Sequence, residues 1–231
     1  MRFSECYHNQ FIRDALKAYR QTVREEARKY AFALRIPEPI KVTTIAPTGT
    51  VSNLPGVTSG CQPIFSKYFK RRVIYASNDK RLEELEHKGF AIEDSAYTKD
   101  SRVVSFYCKD PLVHEVEKAG LDIGLIEEQH EISLSDHLAV QAMLQELYAD
   151  NAISYTINFD PVQYSVEDIE KALIAHLPYL KGTTMMPENM SRPQMPLERI
   201  TKEQFEEAAT KGLAMVSDVE MECKNGACPV K

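Results

Sequence analysis

The sequence predicts an α/β fold, and three observations carry that prediction. Short β-branched runs such as IKVTTI, SRVVSF and NAISYTINF alternate with stretches whose apolar residues recur at helical spacing. Glycine, proline and hydroxyl residues bound these runs. A glycine- and hydroxyl-rich loop follows directly on the first run, in the position where α/β folds hold ligands, beyond the carboxyl end of a strand. Strands that alternate with helices imply parallel strands joined by crossover helices.

The elements follow in order. Residues 5–35 predict one long helix, because Leu16, Tyr19, Val23, Ala27 and Tyr30 recur at three- and four-residue steps between Arg, Lys and Glu. The prolines of IPEP at 36–39 stop it. IKVTTIAP at 40–47 predicts a short buried strand. RRVIYASN predicts a strand or extended segment, and residues 79–88 a charged helix that Gly89 ends. SRVVSFYCK at 101–109 is the next strand. Residues 133–149 predict an amphipathic helix capped by Ser133 or Ser135, with Leu134, Leu138, Leu144, Leu147 and Tyr148 on one face. NAISYTINF at 151–159 is a strand, and SVEDIEKALIAHL at 165–177 a helix opened by a capping box of Ser165 and Asp168. GTTMMP at 182–187 is a short strand, with Met185 and Met186 read as core. TKEQFEEAATKG at 201–212 is a last helix, and residues 213–231, with little to bury, read as a mobile tail.

A length of 231 residues suits one large domain or two small ones. A net charge of −6 and a pI of about 5.6 argue against a nucleic-acid binder, which usually carries a basic field. They leave room for a small phosphorylated ligand held by a local site. No apolar run nears the roughly 18 residues of a membrane span, and MRFSECYHNQFIRDALKAYRQ has no apolar leader core. The expected compartment is the cytoplasm, with no membrane partner, where the five cysteines stay thiols unless they do redox work.

Two constellations carry candidate chemistry. The first is the loop Pro47, Thr48, Gly49, Thr50, Val51 and Ser52 within TTIAPTGTVSNLPGVTSGC. Gly49 lets backbone N–H groups approach a phosphate, Thr48, Thr50 and Ser52 offer hydroxyls, and a helix starting near Thr50 would add its N-terminal dipole. There is no GxxxxGK[ST] and no lysine, so this is no Walker loop, and an ordinary polar turn remains the alternative. The second is the pair Cys223 and Cys228 around the Asn225-Gly226 turn. It reads as half of a zinc site, as two idle thiols, or as a dithiol that exchanges with disulfides. The six histidines show no metal spacing, and no metal site is expected. Asp136-His137 is discounted as a relay, because adjacent helical residues diverge. Cys61 and Cys108 read as small buried residues.

Four motifs in order, TTIAPTGTVSNLPGVTSGCQPIF, ADNAISYTINFDP, LKGTTMMP and CKNGACPVK, make the chain resemble the C-terminal part of the class II ribonucleotide reductases. The likeness is to the adenosylcobalamin-dependent ribonucleoside-triphosphate reductase type, from about Phe3 to Lys231. The resemblance implies the last portion of a ten-stranded α/β barrel over residues 1–212, with strands near 42–46, 103–108, 152–158 and 183–186. Residues 213–231 would be a redox-active tail. It implies that the loop Pro47 to Ser52 helps hold the phosphates of a ribonucleoside triphosphate. It implies that Cys223 and Cys228 re-reduce an active-site disulfide and are themselves reduced by a thioredoxin-like protein. The family's complete enzyme uses adenosylcobalamin to generate a thiyl radical and removes the 2′-hydroxyl, which provides deoxyribonucleotides for DNA synthesis.

The Asn-Pro-Cys-x-Glu motif that carries the family's radical cysteine and general base is missing, and Cys6, Cys61 and Cys108 match none of its thiol roles. Half a barrel would also leave strand edges and an apolar face unpaired. The expectation is therefore a fragment or one half of a split enzyme, with the N-terminal part as partner. A stand-alone nucleotide-phosphate-binding module and a small dithiol oxidoreductase are the competing readings.

Overall fold

A computed structural model of the chain describes residues 2–48, 51–53, 57–188 and 193–215. In chain order its elements are α1 (Gln10–Leu34), β1 (Tyr68–Ala76), α2 (Arg81–His87), β2 (Ala91–Asp94), β3 (Ser101–Lys109), α3 (Pro111–Lys118), α4 (Leu134–Leu147), β4 (Thr156–Phe159), α5 (Val166–His176), β5 (Thr184–Pro187), β6 (Leu197–Arg199), α6 (Lys202–Thr210) and β7 (Ala214–Met215). They belong to two compact units.

The first unit takes residues 1–49, 59–63 and 125–188. The long N-terminal helix expected from periodicity is broken once. Phe3–His8 is a 3₁₀ turn, and Asn9 then caps α1 by accepting a hydrogen bond from the Ile12 N–H at 3.1 Å. Arg35, at φ 57°, ends α1 in the left-handed region. β4 and β5 pair in parallel, Ile157 opposite Met185, with α5 between them in sequence. This is the one place where the parallel strands expected from the alternation occur among the described ladders of more than two residue pairs. The capping box predicted for α5 is present, Ser165 Oγ accepting from Asp168 N. Leu134, Leu138, Tyr155 and Ile157 form the buried centre, with Met185 packed against it. Met186 departs from the core reading: it sits 44 % exposed, because strand alternation sends it to the other face.

α4 also departs from its expected pattern. Instead of one apolar face it buries positions all round, including His137, Gln141 and Gln145. The polar positions are tolerated because each finds partners. Gln141 donates to the Gly182 carbonyl at 2.6 Å and accepts from the Thr183 hydroxyl at 2.8 Å. Gln145 donates to the carbonyls of Ala149 and Asn151 at 2.8 and 2.9 Å. These bonds tie the helix to the backbone leading into β4 and β5.

The second unit takes residues 50–58, 64–124 and 189–231, of which those named above as described are characterised. Its sheet runs β2-β3-β1-β6, with β7 added beside β3. β1 and β3 pair antiparallel over nine residues, β2 and β6 are antiparallel too, and only β7 is parallel. The expectation of a parallel sheet fails here for a topological reason. β2, unexpected from the sequence, lies between α2 and β3, so α2 crosses from β1 to β2 on the far side of β3 rather than to β3 itself. With β2 present, the chain returns to β3 by the short loop 95–100, and a connection that short forces antiparallel pairing. The Ser95 hydroxyl organises that loop, accepting from the N–H groups of Tyr97 and Thr98 at 3.3 and 3.1 Å. Tyr75, Leu82, Val104, Phe106 and Cys108 form this unit's core. Among the described residues neither sheet closes on itself, so the barrel implied by the resemblance is not a closed one.

Candidate functional site

The loop expected to hold an anion begins from an anchored stem. Residues 41–48 form no ladder strand, which corrects the strand predicted at 40–47. The segment instead lends single carbonyls to the stretch before β4. Thr43 O accepts from the N–H groups of Asp150 and Asn151, both at 3.1 Å, and Ile45 O accepts from Ser154 N at 3.0 Å. The buried Thr43 hydroxyl donates to Tyr148 O at 2.7 Å and accepts from Asp150 N at 3.0 Å.

Asp150 is the hub. Its side chain is 3 % exposed, and one oxygen accepts from both Arg20 and Arg24 of α1 at 2.7 Å. Its other oxygen accepts from Val42 N at 3.1 Å. Burial opposes ionisation, but the Arg24 bond, the Val42 N–H and Arg20 outweigh it, and the carboxyl is held well below the usual range. The backbone carbonyl of Asp150 accepts from Lys181. One residue thus joins α1, the loop stem and the approach to β4. Sequence reading passed over it, although a lone acid opening an apolar run in ADNAIS was a signal.

Pro47 and Thr48 are exposed at the end of the stem. Thr48 has φ 47°, a region unfavourable to a β-branched residue, which costs about 1–3 kcal/mol. Its hydroxyl accepts from Gly60 N at 3.0 Å, bridging the two ends of the loop. That bond uses an acceptor lone pair, so the O–H remains a donor. Gly60 itself sits at φ 62°, and a Cβ there would meet the carbonyls of Ala46, Pro47 and Ser154 at 3.7 Å. Gly49 and Thr50 lie outside the described residues. Val51 and Ser52 belong to the second unit and open the 3₁₀ turn Val51–Asn53. A turn of three residues supplies single N–H donors, not the dipole of a helix. Ser52 is 5 % exposed and its carbonyl accepts from Val57 N at 3.0 Å, whereas Val51 is 64 % exposed.

Cys223 and Cys228 lie outside the described residues. Cys6, Cys61 and Cys108 are free thiols. Burial pushes them up to about 11, 12 and 12, so they are protonated and poor nucleophiles at neutral pH. Cys108 is buried as expected, while Cys61 is only half-buried. His137 is a satisfied core residue. Its Nε2 lies 3.0 Å from Gln129 O, which can only accept, so Nε2 carries the proton and Nδ1 accepts from the Tyr155 hydroxyl at 3.0 Å. Burial lowers its pKa and keeps it neutral. Asp136 turns away to Tyr7, whose hydroxyl donates at 2.8 Å, in keeping with the discounted relay.

No group of three His, Cys, Asp or Glu side chains able to hold a metal forms among the described residues. Nor, among them, is any helix long and apolar enough to cross a membrane.

The family described as "Ribonucleotide reductase, barrel domain" matches residues 39–186, and the chain belongs to that family. A Mycobacterium phage D29 protein, provisionally named an adenosylcobalamin-dependent ribonucleoside-triphosphate reductase, is 40 % identical over all of this chain and 34 % of its own length. The adenosylcobalamin-dependent ribonucleoside-triphosphate reductase of Levilactobacillus brevis is 28 % identical over 99 % of this chain and 32 % of its own length. The crystal structure of a B12-dependent (class II) ribonucleotide reductase superposes with a TM-score of 0.69 at 25 % identity, covering 96 % of this chain and 30 % of that one. The chain therefore spans about a third of the length of the relatives it matches.

Proposed function

We propose that the chain is the C-terminal portion, or a split subunit, of an adenosylcobalamin-dependent ribonucleoside-triphosphate reductase, working in the cytoplasm. The observation that carries this reading is the end-to-end match to such reductases, all of this chain against about a third of each relative. The reactive cysteine and the cofactor then belong to the remaining two thirds. Adenosylcobalamin, bound there, would supply the radical that starts the reaction.

This chain's residues have two tasks in that scheme. The loop Pro47 to Ser52 holds the substrate's phosphates, with the Thr48 O–H and the backbone N–H groups near Gly49 as donors. Asp150 and Thr43 keep the stem in place, which makes them positioning residues. Cys223 and Cys228 return two electrons and two protons to the disulfide left by each turnover. They become a disulfide themselves, and a thioredoxin-like dithiol then reduces it.

The test mixes the chain with the missing two thirds of a reductase and measures adenosylcobalamin-dependent formation of 2′-deoxyribonucleoside triphosphate. The mixture should be active and each part alone inactive. Cys223→Ser should spare the first turnover and stop repeated turnover with thioredoxin. A folded, associated mixture without activity, or loss of the first turnover in Cys223→Ser, would overturn the assignment.

A further inference from the structure

The outer end of α1 packs through the buried Ala31, yet it carries large apolar side chains in water on opposite sides. Tyr30, Phe32 and Leu34 are 69, 86 and 51 % exposed, and Ile36 and Ile40, just past the helix, are 54 and 87 % exposed. Helical residues two apart lie roughly 160° from one another around the axis, so Phe32 points away from Tyr30 and Leu34. A surface helix carries one apolar stripe, and a helix apolar all round belongs in a core. Single exposed apolar side chains are common, but five large ones within eleven residues are not. The Arg28–Glu38 ion pair at 3.2 Å, exposed on both sides, borders the cluster as a polar rim does an interface core. The middle of the same helix is fastened through Arg20 and Arg24 to Asp150, so the end beyond it extends from a fixed point.

We infer that Tyr30, Phe32, Leu34, Ile36 and Ile40 form the docking surface for the remaining two thirds of the reductase. This rests on the proposed function. Three facts commit the surface to that occupant. The chain covers only 34 and 32 % of the relatives, its matched family is a barrel domain, and neither of its sheets closes among the described residues. On the proposed function, the rest of the reductase supplies barrel elements that pack against this chain. A helix end apolar on both sides is suited to insertion between such elements.

The experiment uses the 231-residue chain and, as probe, the part of the Mycobacterium phage D29 relative outside the third that this chain matches. Association is measured by calorimetry and by sedimentation. The double variant Phe32→Ser/Ile40→Ser should melt with the wild-type chain, since both side chains are in water when it is free, yet bind the probe at least about tenfold more weakly. Leu121→Ser, at an exposed position of the other unit, should bind as wild type does. Equal binding by the double variant, no binding by the wild type, or self-association of the chain that the double variant abolishes would each overturn the inference. If the wild-type mixture is active while the double variant keeps its affinity, the surface fails and the function stands. If the parts bind through this surface yet reduce nothing, the surface stands and the function fails.

Discussion

α1 and α4 both repeat apolar residues at helical spacing, yet the first leaves much of its apolar surface in water and the second buries its glutamines. Tyr30 and Phe32 of α1 are exposed, while Gln141 of α4 is fully buried and hydrogen-bonded at both ends of its amide. The contrast teaches what a hydrophobic pattern records. On the proposed function, it registers the surroundings a helix meets in the complete reductase, and this chain spans about a third of the relatives' length. For α4 the surroundings are present, and backbone carbonyls satisfy its polar positions. For the outer end of α1 they are not.

The sharpest way to break the contrast is at Asp150, the group that joins the two helices' neighbourhoods. Asp150→Ala would take the carboxylate from Arg20 and Arg24, leave Arg20 only its bond to Glu146 O, and free the Val42 N–H. Removing one partner of a buried ion pair costs roughly 3–5 kcal/mol, and the half-solvated arginines put this case near the lower end. Denaturant unfolding checks it, and a loss below about 1 kcal/mol would mean that the hub is not structural. The same carboxyl sets an acid dependence. Its pKa is depressed in the fold, so its contribution is complete above the unfolded value of about 3.9 and is lost as pH falls below it toward the folded value. Asp150→Asn should flatten that part of the stability–pH curve. A curve unchanged in shape would assign the acid sensitivity elsewhere.

The second effect is smaller and belongs to α4 alone. Gln141→Leu keeps the volume and removes the amide, leaving Gly182 O and the Thr183 hydroxyl without their partner inside the protein. Gly182 is exposed and Thr183 half-buried, so water can take the amide's place in part, and the loss is that of a net hydrogen bond, about 0.5–1.5 kcal/mol. Thermal melting should show the drop, and a neutral or stabilised variant would mean that water replaces the amide fully.

How much of this was legible in the sequence follows from the same physics. Local signals read well: of the two serines offered for α4 it is Ser133 that caps, and the capping box of Ser165 and Asp168 is formed. Signals that depend on partners distant in sequence read poorly. β2 is four residues long with one half-buried position, too short to show a period, and missing it inverted the expected direction of the sheet. The stem 41–48 is β-branched like a strand, but only its Thr43 and Ile45 carbonyls accept from the segment before β4, a pairing that composition does not show. Of the site, the loop was visible as a density of Gly, Thr and Ser. Its anchor was not, because a buried aspartate announces itself only once Arg20 and Arg24 are beside it.

The smallest effect is expected where the pattern looks most like core. Read from sequence, Tyr30 lies on the same stripe as Leu16 and Val23, and a core aromatic truncated to a small residue costs about 3–5 kcal/mol. Read from structure, Tyr30 is 69 % exposed, and Tyr30→Ser should change the stability of the free chain by no more than about 0.5 kcal/mol. Leu138→Ala, at the fully buried centre of the same unit, should cost about 2–5 kcal/mol in the same denaturant titration. If the two losses prove equal, the outer end of α1 is already covered in the free chain, and the contrast between the helices collapses. If they differ as expected, the missing stabilisation at Tyr30 should reappear only when the rest of a reductase is added, which places the helix's hydrophobic pattern in the assembly and not in the chain.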